Sequence, residues 1–174
     1  FMVRRMANGE TATLDYREKA PLAGGRDMYL DDNGEVIPNA SVRGHLAAGV
    51  PGTVAGLEAA HKKYGKLNWA ELVQPAIDIA ANGWTLTARE ARGLNSNRKA
   101  FMEYNTIMPD FFLAEEGNEW KEGDTVSIPE LAATLALIRD NGRDGFYKGK
   151  TAQLIVEEME RGDGLISLED LEKY

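Results

Sequence analysis

The sequence predicts an α+β fold, with an N-terminal β-hairpin followed by a mainly helical region. Two strand-like segments, 1–7 and 10–17, flank the pair Asn8–Gly9, the dipeptide favoured in two-residue hairpin turns. Residues 22–52 are punctuated by Gly, Pro, Asp and Asn, which predict a loop. From residue 53 onward, apolar residues recur at helical spacing between start and stop signals, so helices are expected to dominate.

The helices are located by the residues that start and end them. Thr53 is predicted to cap a first helix that ends at Gly65, and Gly83 and Gly142 are predicted to end two later ones. A helix is also expected from about Lys150 to Gly162, with a short one after it that opens at Ser167. Three pairs at capping-box spacing predict further helix starts: Asn68 with Glu71, Thr87 with Glu90, and Ser127 with Glu130 ahead of the apolar run that follows Pro129.

Composition excludes several classes of protein. The 174 residues carry a net charge of −8, and the basic residues are scattered among acidic ones, which argues against nucleic acid as a partner. No apolar run approaches the roughly 20 residues of a membrane-spanning helix. There is no Cys, and the only two histidines are His45 and His61, so neither a disulfide nor a metal site is predicted.

No cofactor site and no catalytic residue are predicted in the chain itself. Gly149-Lys150-Thr151 resembles the tail of a phosphate-binding loop, but Asp144 stands where that pattern needs a glycine, so Lys150 is interpreted as a first-turn helix residue. His45 has no second catalytic group to pair with and is interpreted as a locally hydrogen-bonded loop residue. His61 is interpreted as a packing residue. The glycines of 49–57 are interpreted as allowing a turn and close packing, in preference to an anion site.

Arg17 is the candidate binding residue. It lies at the end of the predicted hairpin, where a side chain can leave the sheet and reach a ligand. Its guanidinium offers a rigid set of donors that matches a carboxylate in a bidentate manner. From the residues alone, a solvated or salt-bridged surface Arg is the other interpretation, and both stay open.

Seven segments, in order, resemble one enzyme family over nearly the whole chain, with the exception of about 92–122. They resemble the large-subunit region of γ-glutamyltranspeptidases. The segments are REKAP (17–21), GVPGTVAGL (49–57), YGKL (64–67), LVQPAI (72–77), LAATL (131–135), GFYKG (145–149) and GLISLEDL (164–171).

The resemblance implies an N-terminal-nucleophile hydrolase with a four-layer αββα fold and no cofactor. In this family the precursor cuts itself, and the new N-terminal Thr of the small subunit attacks the γ-glutamyl amide of glutathione and related compounds. The γ-glutamyl group then passes to water, an amino acid or a peptide. The resemblance assigns to Arg17 the binding of the substrate's α-carboxylate. It places the nucleophilic Thr outside this chain, which alone is expected to be inactive.

The resemblance also sets the expected organisation and partners. Residues 1–174 are expected to be part of a large subunit, with the Arg-bearing hairpin at 1–21, a loop at 22–52 and a helical region at 53–174. A start without Met and a last helix that stops within two turns favour the same expectation. The expected partners are γ-glutamyl substrates, the small subunit and the remaining large-subunit segments. Exposed hairpin edges are expected to favour self-association, and a periplasmic or secreted parent protein is implied.

The sequence also allows two alternative functions. A related acylase that acts on glutaryl-type amides, as cephalosporin acylases do, could use Arg17 to hold a distal carboxylate. A catalytically inactive homologue, or a helical interaction module, would keep the scaffold without the reaction.

Overall fold

The structure is a computed structural model that describes residues 1–105, 110–114 and 119–174. It confirms the predicted fold class, because an antiparallel hairpin at the N-terminus is followed by a mostly helical chain. Of the stretch 92–122, in which the resemblance is weakest, residues 106–109 and 115–118 lie outside the described residues.

The N-terminal hairpin consists of β1 (Met2–Arg5) and β2 (Thr11–Leu14). The strands pair antiparallel, with Met2 opposite Leu14 and Arg5 opposite Thr11. Both strands are shorter than the predicted segments 1–7 and 10–17, since the pairing stops where the chain begins to turn.

The turn of this hairpin differs from the predicted two-residue form. Met6 N donates to Glu10 O (2.8 Å) and Gly9 N donates to Met6 O (2.9 Å), so three residues, 7–9, connect the paired ends. Of these three, Gly9 alone has a positive φ, 87°, whereas the two-residue turn favoured by Asn-Gly needs positive φ at both positions. The Asn8 side chain instead accepts from Glu10 N (3.0 Å), which holds the wider turn.

The segment 22–52, predicted as a loop, consists of turns and one short 3₁₀ helix, His45–Ala47. Two isolated bridges tie it: Lys19, just before the segment, pairs with Val50, and Leu30 pairs with Val36. The first of these bridges brings both ends of the loop together directly after Arg17.

Seven helices lie in the described part of the chain. Six of them, all except the four-residue α5, confirm predicted helices. The helices are α1 (Thr53–Tyr64), α2 (Trp69–Asn82), α3 (Ala88–Tyr104), α4 (Pro129–Asn141), α5 (Asp144–Tyr147), α6 (Gly149–Arg161) and α7 (Leu168–Glu172).

Most of the predicted helix ends are confirmed. Thr87 and Glu90 form a complete capping box at the start of α3. Asn68 accepts from Ala70 N (2.9 Å) ahead of α2. Gly83 and Gly142 follow α2 and α4 with φ of 89° and 59°, the left-handed conformation that ends many helices at glycine.

Two predicted caps are wrong. Gly52, not Thr53, is the cap residue of α1, and it makes no side-chain cap bond. Glycine is required there because a Cβ at Gly52 would overlap Tyr174 and Tyr16. At α4, the carbonyl of Ile128 accepts from Ala132 N (3.1 Å), so Ile128 takes the cap position in place of Ser127.

The region 53–174 is mainly helical, as predicted, but it also contains strands that the sequence did not predict. Two short strands, β3 (Trp84–Thr85) and β4 (Thr125–Val126), pair antiparallel within it. A two-residue strand has no alternation to detect, so its pairing is set by the packing around it. The helix α5 was also not predicted, because its four residues are too few to show a helical repeat of apolar positions.

The chain forms two compact units, each with its own core. The first contains Phe1–Leu72 and Leu137–Tyr174, and the second contains Val73–Ala136. In the second unit, Trp84 and Trp120 pack against the core. The buried residues of the first core are Val50, Tyr147, Ala152, Ile166 and Leu171, and those of the second are Leu86, Ala91 and Val126.

Candidate functional site

Arg17 lies three residues beyond the end of β2, and its side chain reaches out of the fold. The side chain is 66% exposed, and its ion-pair partner among the described residues is the adjacent Glu18, with 3.0 Å between Nε and Oε2. An exposed pair between neighbouring residues is weak in water. The guanidinium is therefore accessible to an anionic ligand that can compete with Glu18.

The backbone around Arg17 is held much more firmly than its side chain. Arg17 N donates to Asp15 Oδ1 (3.0 Å), and the Tyr174 hydroxyl donates to Arg17 O (2.5 Å). Two residues later, Lys19 N donates to Val50 O (3.1 Å) and Val50 N donates to Lys19 O (2.8 Å). Hydrogen bonds thus fix the main chain here, and that main chain carries an exposed charged group.

Two glycines at the start of α1 make room for this arrangement. Gly56 is buried under the ring of Tyr16, and a Cβ there would overlap that ring. Gly52 leaves space for the hydroxyl of Tyr174 and the carbonyl of Tyr16. This confirms the packing interpretation of the glycines in 49–57, because they allow the residues next to Arg17 to approach the helix closely.

Tyr174 is in turn positioned by the core of the first unit. Its ring stacks on that of Tyr147, with centroids 5.8 Å apart and planes inclined by 16°. Tyr147 is 1% exposed, and its hydroxyl donates to Pro51 O (2.6 Å). On the outer side, Lys19 Nζ lies 4.6 Å from the centroid of the Tyr174 ring.

The electrostatic surroundings keep both phenols protonated. Burial raises the pKa of Tyr147 above its ordinary value. Burial, followed by the negative charges of Asp15 and Glu18, raises the pKa of Tyr174. Both hydroxyls therefore remain hydrogen-bond donors at neutral pH, the form that their contacts with Arg17 and Pro51 require.

The other residues considered from the sequence have structural contacts. Lys150 lies exposed in the first turn of α6, as predicted. His61 Nε2 lies 2.8 Å from Leu67 O, and its ring lies 5.3 Å from that of Trp69, which confirms a packing role. His45 differs from its prediction, because its partner is not local: Nε2 lies 2.6 Å from Oε1 of Glu158 in α6.

In the part of the chain that the structure describes, no three His, Asp or Glu side chains come together in a way that could coordinate a metal ion. Among the helices of these same ranges, none has both the length and the apolar character of a membrane span.

Comparison with known proteins identifies the family. The model of the gamma-glutamyltranspeptidase family matches residues 1–174. The glutathione hydrolase proenzyme of Pseudomonas aeruginosa is 45% identical over 174 residues, which are 100% of this chain and 30% of that protein. The crystal structure of Helicobacter pylori gamma-glutamyltranspeptidase superposes with a TM-score of 0.93 at 43% identity, over 99% of this chain and 49% of that one.

A more distant solved structure shares the fold alone. Cephalosporin acylase from Bacillus halodurans is 22% identical, with a TM-score of 0.72 over 91% of this chain and 30% of that one. The hairpin and the helical region that follows thus define a segment of an N-terminal-nucleophile hydrolase. Within that class, the chain belongs to the γ-glutamyltranspeptidase family. It spans about 30% of the length of the curated relatives that it matches.

The sequence located Arg17 but not the residues that hold it. The contact between Tyr174 and Arg17 joins residues 157 positions apart, and the contact between Tyr147 and Pro51 spans 96. No periodicity or spacing encodes such pairs. The signal that was available is the glycine spacing at 52 and 56, which indicates that something large packs against the start of α1.

Proposed function

We propose that this chain is the Arg17-bearing part of an enzyme that cleaves the γ-glutamyl amide of glutathione and related compounds, and that transfers the γ-glutamyl group to water, amino acids or peptides. Membership of the family supports this activity, as do relatives named glutathione hydrolase. The observation that carries the proposal is the accessible guanidinium of Arg17 on a fixed main chain.

In the proposed mechanism Arg17 binds and orients the donor. Its guanidinium forms two parallel hydrogen bonds with the α-carboxylate of the γ-glutamyl group, displacing the weak contact with Glu18. Holding one end of the donor in this way directs its γ-carbonyl towards the nucleophile, so that the reaction proceeds within a single bound complex.

The chemical step belongs to a part of the protein outside this chain. An N-terminal Thr hydroxyl of the small subunit, activated by its own amino group, adds to the γ-carbonyl. The amine leaves with a proton, and a γ-glutamyl ester of the Thr remains. Water or the amine of an acceptor then attacks this ester and regenerates the hydroxyl. The chain described here is inactive without that segment.

The proposed partners are the small subunit and the remaining large-subunit segments of the same precursor. On the hairpin, Phe1 and Val3 are 72% and 78% exposed, so two large apolar side chains lie close together on the surface. Such a surface favours contact with those segments, or self-association when they are absent. Export of the parent protein to the periplasm or the cell exterior is proposed on the family resemblance alone.

Kinetics of the full-length processed enzyme with γ-glutamyl-p-nitroanilide test the role of Arg17. Arg17→Lys keeps the charge but cannot reproduce the bidentate geometry, so a loss of about 2–3 kcal/mol in donor binding is expected, seen as a rise in KM of roughly 30- to 150-fold. Arg26→Lys is the matched control, because Arg26 is 95% exposed and pairs only with its neighbour Asp27 among the described residues. An unchanged KM in Arg17→Lys would exclude Arg17 from the site.

The same assay separates the alternative functions. Turnover of glutaryl-p-nitroanilide in preference to the γ-glutamyl compound would indicate an acylase. A full-length precursor that neither cuts itself nor turns over either anilide would indicate a catalytically inactive homologue.

A further inference from the structure

We propose that Tyr174 is a positioning residue for Arg17, and that its hydroxyl sets the affinity of the enzyme for the donor's α-carboxylate. This inference rests on the proposed function of Arg17. It concerns a residue 157 positions away in the sequence, which acts on the donor through the main chain of Arg17 and makes no contact with the donor itself.

Tyr174 is bonded directly to the main chain of Arg17. Its hydroxyl donates to the carbonyl oxygen of Arg17 over 2.5 Å, at the short end of the range for such hydrogen bonds. On the other side of the same residue, Arg17 N donates to Asp15 Oδ1 (3.0 Å). With both its N–H and its C=O engaged, Arg17 has a fixed main-chain orientation, and the direction in which its side chain leaves the backbone is fixed as well.

The position of Tyr174 is in turn fixed by the core of the first unit. Its ring stacks on Tyr147, which is almost completely buried and is itself bonded to Pro51 O. The hydroxyl enters the space left by Gly52, where a Cβ would collide with it. Stacking on a core residue and filling of a glycine gap leave the Tyr174 hydroxyl little freedom, so it can serve as a fixed reference point for Arg17.

The side chain of Arg17 needs this restraint from its main chain. Its side chain is 66% exposed and its ion-pair partner among the described residues is the adjacent Glu18, so this exposed pair holds the guanidinium only weakly. A bidentate bond to a carboxylate is sensitive to small displacements of the guanidinium plane. The restraint must therefore come from the main chain, and Tyr174 supplies the part of it that acts at the Arg17 carbonyl.

The protonation state of Tyr174 suits this role. Its pKa is raised by burial and by the nearby carboxylates of Asp15 and Glu18, so the hydroxyl remains a donor throughout the neutral range. Phenylalanine at this position would keep the ring and its stacking on Tyr147 while removing only the hydrogen bond. Tyr174→Phe is therefore a conservative variant that isolates the proposed contact.

The experiment measures donor kinetics of the full-length processed enzyme with γ-glutamyl-p-nitroanilide. Tyr174→Phe is expected to raise KM about five-fold, the effect of one hydrogen bond, while kcat changes less than about two-fold because the nucleophile lies on another segment. The matched control is Tyr29→Phe. Tyr29 is half-buried in the loop, and its hydrogen bond there is made by its main-chain carbonyl, which accepts from Ile37 N (2.9 Å). No change in KM is expected for the control.

A double-mutant cycle shows whether Tyr174 acts through Arg17. In an Arg17→Ala background the Tyr174→Phe change is expected to have no further effect on kcat/KM, because the group being positioned is gone. A donor that lacks the α-carboxylate, 4-aminobutanoyl-p-nitroanilide, is likewise expected to be turned over equally by the wild-type enzyme and by Tyr174→Phe. A role of Tyr174 in general stability would affect both donors and both backgrounds.

The outcomes separate this inference from the proposed function. If Arg17→Ala leaves kcat/KM unchanged, the proposed role of Arg17 is wrong, and this inference is overturned with it. If Arg17→Ala reduces kcat/KM but Tyr174→Phe does not raise KM, Arg17 keeps its role and the inference about Tyr174 is overturned. The inference is overturned in the same way if the two substitutions have fully additive effects, or if Tyr174→Phe impairs the donor without an α-carboxylate to the same extent.

Discussion

The carboxylate of Asp170 accepts a 2.6 Å hydrogen bond from the main-chain N–H of Leu22, 148 positions away. Asp170 is 5% exposed, and its second oxygen accepts from Ser167 N (2.9 Å) and Ser167 Oγ (2.7 Å), which completes the capping box of α7. One side chain thus caps the last helix and attaches to it the chain that follows Arg17.

This contact predicts a loss of stability in acid. Burial disfavours the charged form of Asp170, but the hydrogen bonds from Ser167 and Leu22 outweigh it, so the pKa of this carboxyl lies below its ordinary value. A lowered folded-state pKa means that the stabilisation is fully present above the unfolded value of about 3.9 and is lost as the pH falls through the folded value. We expect Asp170→Asn to lower the free energy of unfolding of the full-length protein by about 2–3 kcal/mol at pH 7.

Urea unfolding at pH 7 and at pH 3 checks this prediction. The difference between wild type and Asp170→Asn should narrow at the lower pH, because the wild-type carboxylate is progressively protonated there. Asp163→Asn makes the same chemical change at an exposed position and is expected to change stability by less than about 0.5 kcal/mol. A difference that stays constant between the two pH values would contradict the assigned role of the charge.

Two glycines inside helices are expected to respond in opposite directions to the same substitution. A Cβ at Gly56 in α1 would overlap the ring of Tyr16, whereas a Cβ at Gly93 in α3 would meet nothing within 4 Å. We expect Gly56→Ala to destabilise the protein by about 1–3 kcal/mol through overpacking, and to raise KM because the displaced Tyr16 directly precedes Arg17. Gly93→Ala should stabilise it by about 0.5–1 kcal/mol, since alanine has less backbone entropy to lose.

Chemical denaturation of the two variants beside wild type, together with donor kinetics, is the measurement. Gly93→Ala serves as the matched control, because it introduces the same methyl group into a helix without a clash. A Gly56→Ala protein as stable as wild type would show that α1 and Tyr16 can separate without cost. That result would also weaken the view that this packing positions the Arg17 segment.

The capping box of α3 predicts a local effect. Thr87 Oγ1 accepts from Glu90 N (3.3 Å), and Glu90 Oε2 accepts from Thr87 N (2.8 Å). Thr87→Ala removes the side-chain oxygen that accepts from Glu90 N, and it should lower the free energy of unfolding by about 1 kcal/mol. Hydrogen exchange of the first-turn amides of α3 is the measurement, with an increase in rate of about five-fold expected.

Ser96→Ala is the control for this prediction, on the same helix. The Ser96 hydroxyl donates to Gly93 O (3.1 Å) within the helix, a contact that adds nothing at the helix start. Exchange at the first turn should be unaffected by this change. Equal acceleration in both variants would assign the effect to loss of a hydroxyl in general and would remove the capping box from the explanation.

The sequence predicted the features that depend on neighbouring residues. Thr87 and Glu90 are three positions apart, so the capping box was readable, as were the helix ends at Gly83 and Gly142. Where local chemistry was compatible with two structures, the prediction could fail. Asn8–Gly9 suits both a two-residue and a three-residue turn, and the pairing of Met6 with Glu10 selects the second.

The candidate site was likewise predictable only where it depends on neighbouring residues. The position of Arg17 after a strand was predicted, and family resemblance gave it a role. Its supports were not predicted, because the contact between Tyr174 and Arg17 depends on the packing of α7 against the core, which joins residues far apart in the sequence. The prediction of Thr53 as the cap of α1 was wrong for the same reason. A propensity rule favours Thr53 as a cap, but the space that Tyr174 occupies demands a glycine one residue earlier.

The loop between the hairpin and α1 is closed at its base, and this affects how the protein can be altered. Lys19 pairs with Val50, Leu22 is bonded to Asp170, and His45 lies against Glu158, so the chain is attached near both of its ends. Between these attachments, Leu30 pairs with Val36 around an exposed tip at Gly34. We therefore expect this tip to accept a longer or shorter turn, or an inserted affinity tag, while the base and the residues beside it keep their geometry.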